Sequence, residues 1–390
     1  MSLDALRGFD MFWIVGGGFI VSALDRWTGN PALNLLKEQL SHVAWEGFHF
    51  YDLIFPLFVF MVGVSVVYSV RKGLTTHGRW PMVRRILVRG ALLFVIGLFY
   101  SGGFSQEWPN LRLLGVLNRI AICYTVTGLL FVFFRPGWLV AVFLLLLAGY
   151  WGAMTYVRIR DIRLEPAALA KVAAKVAAKK GDTNVMALFM GTTLQVRGEY
   201  EPGYNLANHI DFQYLPGRKH DTYYDPEGLL STFPAVATCL LGVFAGLWLQ
   251  AGRFSPEMKS VGLITAGFIL MSAGYLWGFQ FPVVKKLWTS SFVLVAGGYS
   301  LMLLGLFFQF IDVWGWQRWC QPFVWIGTNA LPIYLAAQIL NFRKVAERFA
   351  GGPIRTGLGA AGETVLALMA VLVLFWFARF LHQRKIFLRL

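Results

Sequence analysis

Stretches of mainly apolar residues long enough to cross a bilayer recur along this chain, and that recurrence constrains its fold more than any other feature. A helix needs about 20 such residues to span a hydrocarbon core. Ten segments qualify, at roughly 8–25, 51–70, 83–101, 111–134, 137–155, 229–249, 260–279, 290–311, 322–341 and 363–381. Charged residues make up only 14% of the 390 and hydrophobic ones 57%, whereas a soluble domain is about 25% charged. The expected fold class is therefore all-α, a polytopic transmembrane helical bundle of about ten spans with a large outward loop between spans five and six. Gly16-Gly17-Gly18 and Gly297-Gly298 fit close helix packing in lipid, within one chain or between two.

Charge placement gives a topology. Asp4, Arg7 and Asp10 interrupt the charged-then-apolar order of a cleavable leader, so the first helix is expected to stay as an anchor. Arg71, Lys72, Arg79, Arg84, Arg85 and Arg89 crowd one connection, and Arg379, Arg384, Lys385 and Arg389 the tail, while 101–110 has no basic residue. Basic loops remain cytoplasmic, which puts both termini inside and residues 26–50 and 156–228 outside. The chain reads as one domain, 1–390, with 156–228 as an extracytoplasmic loop. Within that loop, 166–180 has high helix propensity, and Lys171, Lys175 and Lys179 form one stripe. It reads as a solvated helix over the outer face or an interfacial helix on anionic headgroups. The Gly-, Pro- and Asn-rich run after it reads as ordered turns suited to ligand recognition, with Asn208, Asp211, Asp225 and Glu227 as substrate-binding candidates.

The net charge of +15 arises at these membrane borders, so no nucleic-acid partner is expected. Cys123, Cys239 and Cys320 show no CxxC spacing; neither a metal site nor a disulfide framework is expected, and they read as small buried apolar residues.

Against this apolar background, the string from His42 to Asp52 at the mouth of the second span stands out, because ionisable groups there need a reason. His42 is the natural general base, its ordinary pKa being near 6.5, and burial beside Trp45 would keep it neutral. Asp52 either orients His42 or pairs with Arg119, which helix rise puts about 12 Å deep in the fourth span. Asn118 and Asn329 are intramembrane amides that either donate to an oxyanion or hold helices together. His49 reads as an interfacial amphipath, and Glu46 as a local salt bridge or substrate contact. Trp45, Tyr51, Tyr204, Trp277 and Trp288 suit sugar stacking, or belt the membrane interfaces.

Six blocks carry a resemblance: Ser2-Leu3-Asp4-Ala5-Leu6-Arg7-Gly8; His42-x-x-Trp45-x-Gly47 followed by Asp52-Leu53-Ile54-Phe55-Pro56; Leu114 to Ile120 around Asn118-Arg119; Asp225 to Thr232; Lys285-Lys286-Leu287-Trp288-Thr289-Ser290-Ser291; and Gly327-Thr328-Asn329-Ala330. Together they resemble the family of heparan-α-glucosaminide N-acetyltransferase, a lysosomal transmembrane acetyltransferase, and its bacterial relatives. The resemblance implies a multi-pass protein of a bacterial inner membrane that moves acetyl from cytoplasmic acetyl-CoA to an amino sugar on the far side. It implies that His42 is the active histidine, as general base or transient acetyl carrier; Asp52, Asn118 and Arg119, read from the residues themselves, complete the expected catalytic set. Arg71, Lys72, Arg84 and Arg85 neutralise the CoA phosphates or only set topology, and Lys286 and Asn329 join the cofactor-binding set. Trp45 and Glu46 join the acceptor side. The family places an asparagine on the outer half of the first helix, where this chain has Gly16-Gly17. The lysosomal protein also has an extra N-terminal domain and span, so this chain reads as the ten-helix core. A homodimer is implied, with acetyl-CoA, an amino sugar or glycan, and the lipid bilayer as partners. The alternatives are a secondary transporter of sugar derivatives, disfavoured by the lack of duplicated halves, and a glycan O-acyltransferase.

Overall fold

The computed structural model describes residues 1–105, 107–160 and 195–387; the lysine-striped helix over 166–180 and Arg389 lie outside them. The chain is a multi-pass membrane protein, and its described residues form an all-α bundle. In order come α1 (Ser2–Phe12), a π-helical turn (Trp13–Gly17), α2 (Gly18–Thr28), α3 (Pro31–Gln39), α4 (Phe50–His77), α5 (Arg79–Tyr100), α6 (Val116–Phe133) and α7 (Pro136–Tyr156). After a two-stranded antiparallel pair, β1 (Ile159–Arg160) with β2 (Gln195–Val196), come α8 (Leu206–Tyr214), α9 (Thr232–Gln250), α10 (Pro256–Gly278) and α11 (Ser290–Phe308). The remainder is α12 (Gln321–Gly327), α13 (Ala330–Leu340), α14 (Phe342–Ala350), α15 (Pro353–Gly357) and α16 (Ala360–Gln383).

Among the described residues eight helices are long and apolar enough to cross a membrane, and α12 with α13, bent by 81°, make a ninth if they count as one span. This is fewer than the ten expected. α5 has the length, 22 residues, but Arg79, Arg84, Arg85 and Arg89 occupy its first half. The stretch over 322–341 is not one helix but two, broken at Thr328 and Asn329.

Burial sorts the helices. In α4, α9 and α11 72% of the apolar window is buried, against 17% in α10 and 28% in α7. An apolar helix that leaves most of its surface outside the protein is solvated by lipid, so α7 and α10 form the rim and α4, α9 and α11 the centre. The central helices approach closely because glycines face backbone: a Cβ on Gly63 of α4 would run into the Cys239 carbonyl, and one on Gly242 of α9 into the Phe60 carbonyl. Gly8 and Gly327 do the same for α1 and α12, and Gly267 and Gly298 for α10 and α11. The Gly297-Gly298 face thus serves packing within the chain. Gly16-Gly17-Gly18 marks no approach as close as these: a Cβ on Gly16 would meet Val371 of α16 at an ordinary 3.7 Å, and one on Gly18 nothing within 4 Å among the described residues. Because a backbone carbonyl cannot move aside, Gly242→Val is expected to destabilise the bundle by about 1–3 kcal/mol or more. A lower melting temperature in detergent checks this, and an unchanged one would contradict the close α4–α9 crossing. Cys123, Cys239 and Cys320 are buried free thiols.

Candidate functional site

The start of α4 is organised by one carboxylate. Asp52, buried in its first turn, accepts the backbone N–H groups of His49 (3.1 Å) and Val43 (3.2 Å) on Oδ2. Its Oδ1 faces His42 Nδ1 at 2.8 Å and Lys285 Nζ at 3.3 Å. Those bonds fold residues 42–49 back over the helix end, with His49 as its N-cap. Gly47, at φ 122°, donates its N–H to the Val283 carbonyl (2.9 Å), and Glu46 bridges Val284. This backbone pairing brings the 283–289 segment against His42, where Lys285 Nζ sits 3.0 Å from Nδ1. With Nδ1 engaged, Nε2 remains for other chemistry. The His42 side chain is 54% exposed, and the ring beside it is Tyr51 at 4.8 Å, so the burial expected from Trp45 is not what surrounds it.

His42, Asp52, Tyr51, Trp45, Lys285 and Lys286 line a single cavity of about 730 Å³. That size lies within the range of about 300–1,000 Å³ usual for small-molecule and cofactor sites. The same cavity is lined further along by Ser65 and Ser69 of α4, Arg85 and Arg89 of α5, Tyr124 of α6 and Arg7 of α1. From Asp52 to Ser69 is 17 residues of helix, about 25 Å by helix rise. The cavity therefore runs most of the length of the bundle, with a histidine end and an arginine end. At the arginine end Arg7 is held by Asp4 (3.1 Å), Ser65 Oγ (2.9 Å) and the Gly327 carbonyl (3.3 Å). The Arg89 guanidinium lies 5.3 Å over the Tyr124 ring, and its Nε is buried without a partner among the described residues.

The histidine end has a second wall, built on paired charges. Arg112 grips Asp225 through two bonds of 2.8 and 2.7 Å and Glu227 at 2.6 Å. Arg112, His220 and Glu227 line the cavity, and Lys286 Nζ pairs with Asp221 at 2.8 Å. Burial pushes the Glu227 carboxyl above its ordinary range. Burial would raise Asp225 too, but the Arg112 hydrogen bonds and charge bring it below its ordinary value.

Several expected site residues lie elsewhere. Arg119 does not pair with Asp52. It is fully buried, bonded to Ser231 Oγ and to the Gly228 carbonyl (3.4 Å), and lies 4.9 Å over the Trp288 ring. The pairing failed because depth along α6 says nothing about which way the side chain turns. Arg119 instead backs Trp288, which lines the cavity and holds φ 51°, a left-handed conformation costly for a bulky residue. Asn118 gives its amide N–H to the Phe94 carbonyl (2.9 Å) and does not line the cavity; it joins α6 to α5. Asn329 is buried at the break between α12 and α13, its amide without a partner among the described residues. Arg71, Lys72 and Arg84 are exposed and outside the cavity, Arg71 bonding Gln250 (3.1 Å); of the four basic residues expected near CoA, only Arg85 lines it. Glu46 is exposed outside it as well. Trp45 lines the wall and donates to the Tyr200 carbonyl (2.9 Å).

Asn208 and Asp211 shape the loop rather than line the cavity. Asn208 accepts from Asn205 and Gly203. Asp211 accepts the Leu229 N–H (2.8 Å), and burial raises its pKa to about 6. The folded loop therefore prefers the neutral acid: its contribution to stability is complete below about pH 4, the ordinary aspartate value, and is lost as pH rises through 6. Asp211→Asn is expected to flatten the fall in melting temperature between pH 4 and 6. A variant retaining the full slope would assign it to another group. Sequence reasoning missed Arg112 and His220 as site residues, quoted Lys285 and Arg7 within motif blocks without giving either a role, and had Arg89 only as a topology marker. Lys285 stands beside Lys286 in a conspicuous pair, which was the available signal.

Residues 1–178 match the family model described as heparan-alpha-glucosaminide N-acetyltransferase, catalytic. The chain is 26% identical over 352 residues to heparan-alpha-glucosaminide N-acetyltransferase of Homo sapiens, an alignment covering 77% of this chain and 49% of that protein. The Mus musculus protein of the same name is 26% identical over 349 residues, with the same shares. The chain thus spans about half the length of the curated relatives it matches.

Proposed function

We propose, from its likeness to heparan-alpha-glucosaminide N-acetyltransferase, that this chain belongs to that family and transfers acetyl from acetyl-CoA to an amino sugar across the membrane. The observation that carries this reading is the one cavity joining the arginine end to the His42–Asp52–Lys285 group. A carrier with phosphates at one end and a reactive thioester at the other needs such a channel. Arg7, Arg85 and Arg89 receive the phosphates of acetyl-CoA from the cytoplasm, since guanidinium forks suit phosphate. The pantetheine arm lies along α4, and the acetyl group reaches the histidine end.

There the amino sugar enters from the opposite face, between His42 and the Arg112–Glu227 wall. Its amine attacks the thioester carbonyl, His42 Nε2 takes the amine proton, the C–N bond forms, and the C–S bond breaks. His42 then returns the proton to the CoA thiolate. Asp52 orients the ring through Nδ1. A thioester is already activated, so alignment and proton transfer supply most of the acceleration. Purified protein given labelled acetyl-CoA and a panel of amino sugars is expected to yield N-acetylated product. Transfer to hydroxyl acceptors alone would replace this reading by O-acylation, and sugar uptake without acetyl-CoA would replace it by transport.

A further inference from the structure

Resting on that reading, we propose that Lys285 is the positioning residue that sets which nitrogen of His42 carries the proton and keeps the protonated ring able to give it back. Three distances carry the inference. Lys285 Nζ lies 3.0 Å from His42 Nδ1 and 3.3 Å from Asp52 Oδ1, and Nδ1 and Oδ1 lie 2.8 Å apart. A ring nitrogen either donates or accepts, never both. In one arrangement Nδ1–H points to Asp52, the ammonium pairs with Asp52, and Nε2 holds a lone pair and acts as base. In the other the ammonium donates to Nδ1, and the ring proton sits on Nε2.

Charge decides how readily the ring releases a proton it has taken up. Asp52 alone beside the imidazolium would strengthen its hold on the proton, slowing return to the thiolate. The Lys285 ammonium, at the same range and of opposite sign, offsets that pull. Burial lowers the Lys285 pKa and the Asp52 carboxylate works against the lowering, so the carboxylate supports the charge that restrains it. The groups facing His42 come from several elements: Asp52 and Tyr51 from α4, and Lys285 from the 283–289 segment. Arg112, His220, Glu227 and Lys286 line the same cavity. Beyond these, Tyr51 feels Asp10 of α1, and Lys285 feels Glu227. Lys285 is the cation in direct contact with the ring among the described residues.

The test reads the His42 ring nitrogens by 15N NMR in the full chain in lipid nanodiscs, without substrates, with His42→Gln assigning the signals. Removing a charge about 3 Å away at a water-facing mouth is worth about one pH unit. Lys285→Met is therefore expected to raise the His42 pKa by about that much and to shift the neutral ring toward the Nδ1–H form. Lys285→Arg is expected to leave the pKa in place, and Asp52→Asn to lower it. A His42 pKa unchanged or lowered in Lys285→Met overturns the proposal; if that variant does not fold, Lys285→Gln carries the same two outcomes. The acid limb of the acetyl-transfer pH profile is expected to move with the titration. A chain whose His42 shifts as stated yet transfers no acetyl group overturns the enzymatic reading and leaves the role of Lys285 in the proton balance intact.

Discussion

Replacing His42 by alanine is expected to lower kcat for acetyl transfer about 100- to 10,000-fold, the usual contribution of a positioned general base, while leaving the KM for acetyl-CoA nearly unchanged. The split comes from position: His42 sits at the far end of the cavity from Arg7, Arg85 and Arg89, so its loss touches the chemistry and not the phosphate contacts. Folding should survive, because the ring is 54% exposed and Asp52 keeps both its backbone bonds and Lys285. Melting temperature and both kinetic constants check the three parts together. Full activity in the variant would remove His42 from the mechanism, and a raised KM with normal kcat would move it to donor binding.

Neutralising the arginine end is expected to give the opposite pattern. In Arg85→Gln/Arg89→Gln the KM for acetyl-CoA should rise at least about tenfold, since hydrogen bonds to charged groups are worth about 1.5–3 kcal/mol each and 1.4 kcal/mol is tenfold in affinity. The chemical step should change far less. Arg7 is a poorer probe, because it also ties α1 to Ser65 of α4 and to the Gly327 carbonyl of α12. Arg71→Gln/Lys72→Gln is the matched control: these side chains are equally basic but lie outside the cavity, so KM should stay put. Equal effects from the two pairs would mean that general basicity, not the cavity wall, gathers the donor.

The bundle was legible because hydropathy alone selects helices that can live in lipid. The count was not, for two local reasons. A sliding apolar window passes over the arginines of α5, and it does not register the 81° break at Thr328–Asn329. His42 and Asp52 were legible as a pair because they lie ten residues apart across one helix start. Lys285 was not, because its contact with His42 spans 243 residues and depends on backbone pairing of Gly47 and Glu46 with Val283 and Val284. Arg112 was missed for the same reason, since its carboxylate partners come from a loop more than a hundred residues later. Arg119 shows the reverse failure: its burial was foreseen, but its partners are Ser231, Gly228 and the Trp288 ring rather than Asp52.

In the proposed reaction one cavity joins a donor on one face of the membrane to an acceptor on the other. Sealed vesicles with the protein in one orientation, holding acetyl-CoA inside on the arginine side and a membrane-impermeant amino sugar outside, test it most directly. N-acetylated sugar accumulating outside while CoA thiol accumulates inside is the expected result. Product formed only when donor and acceptor share one compartment would contradict it.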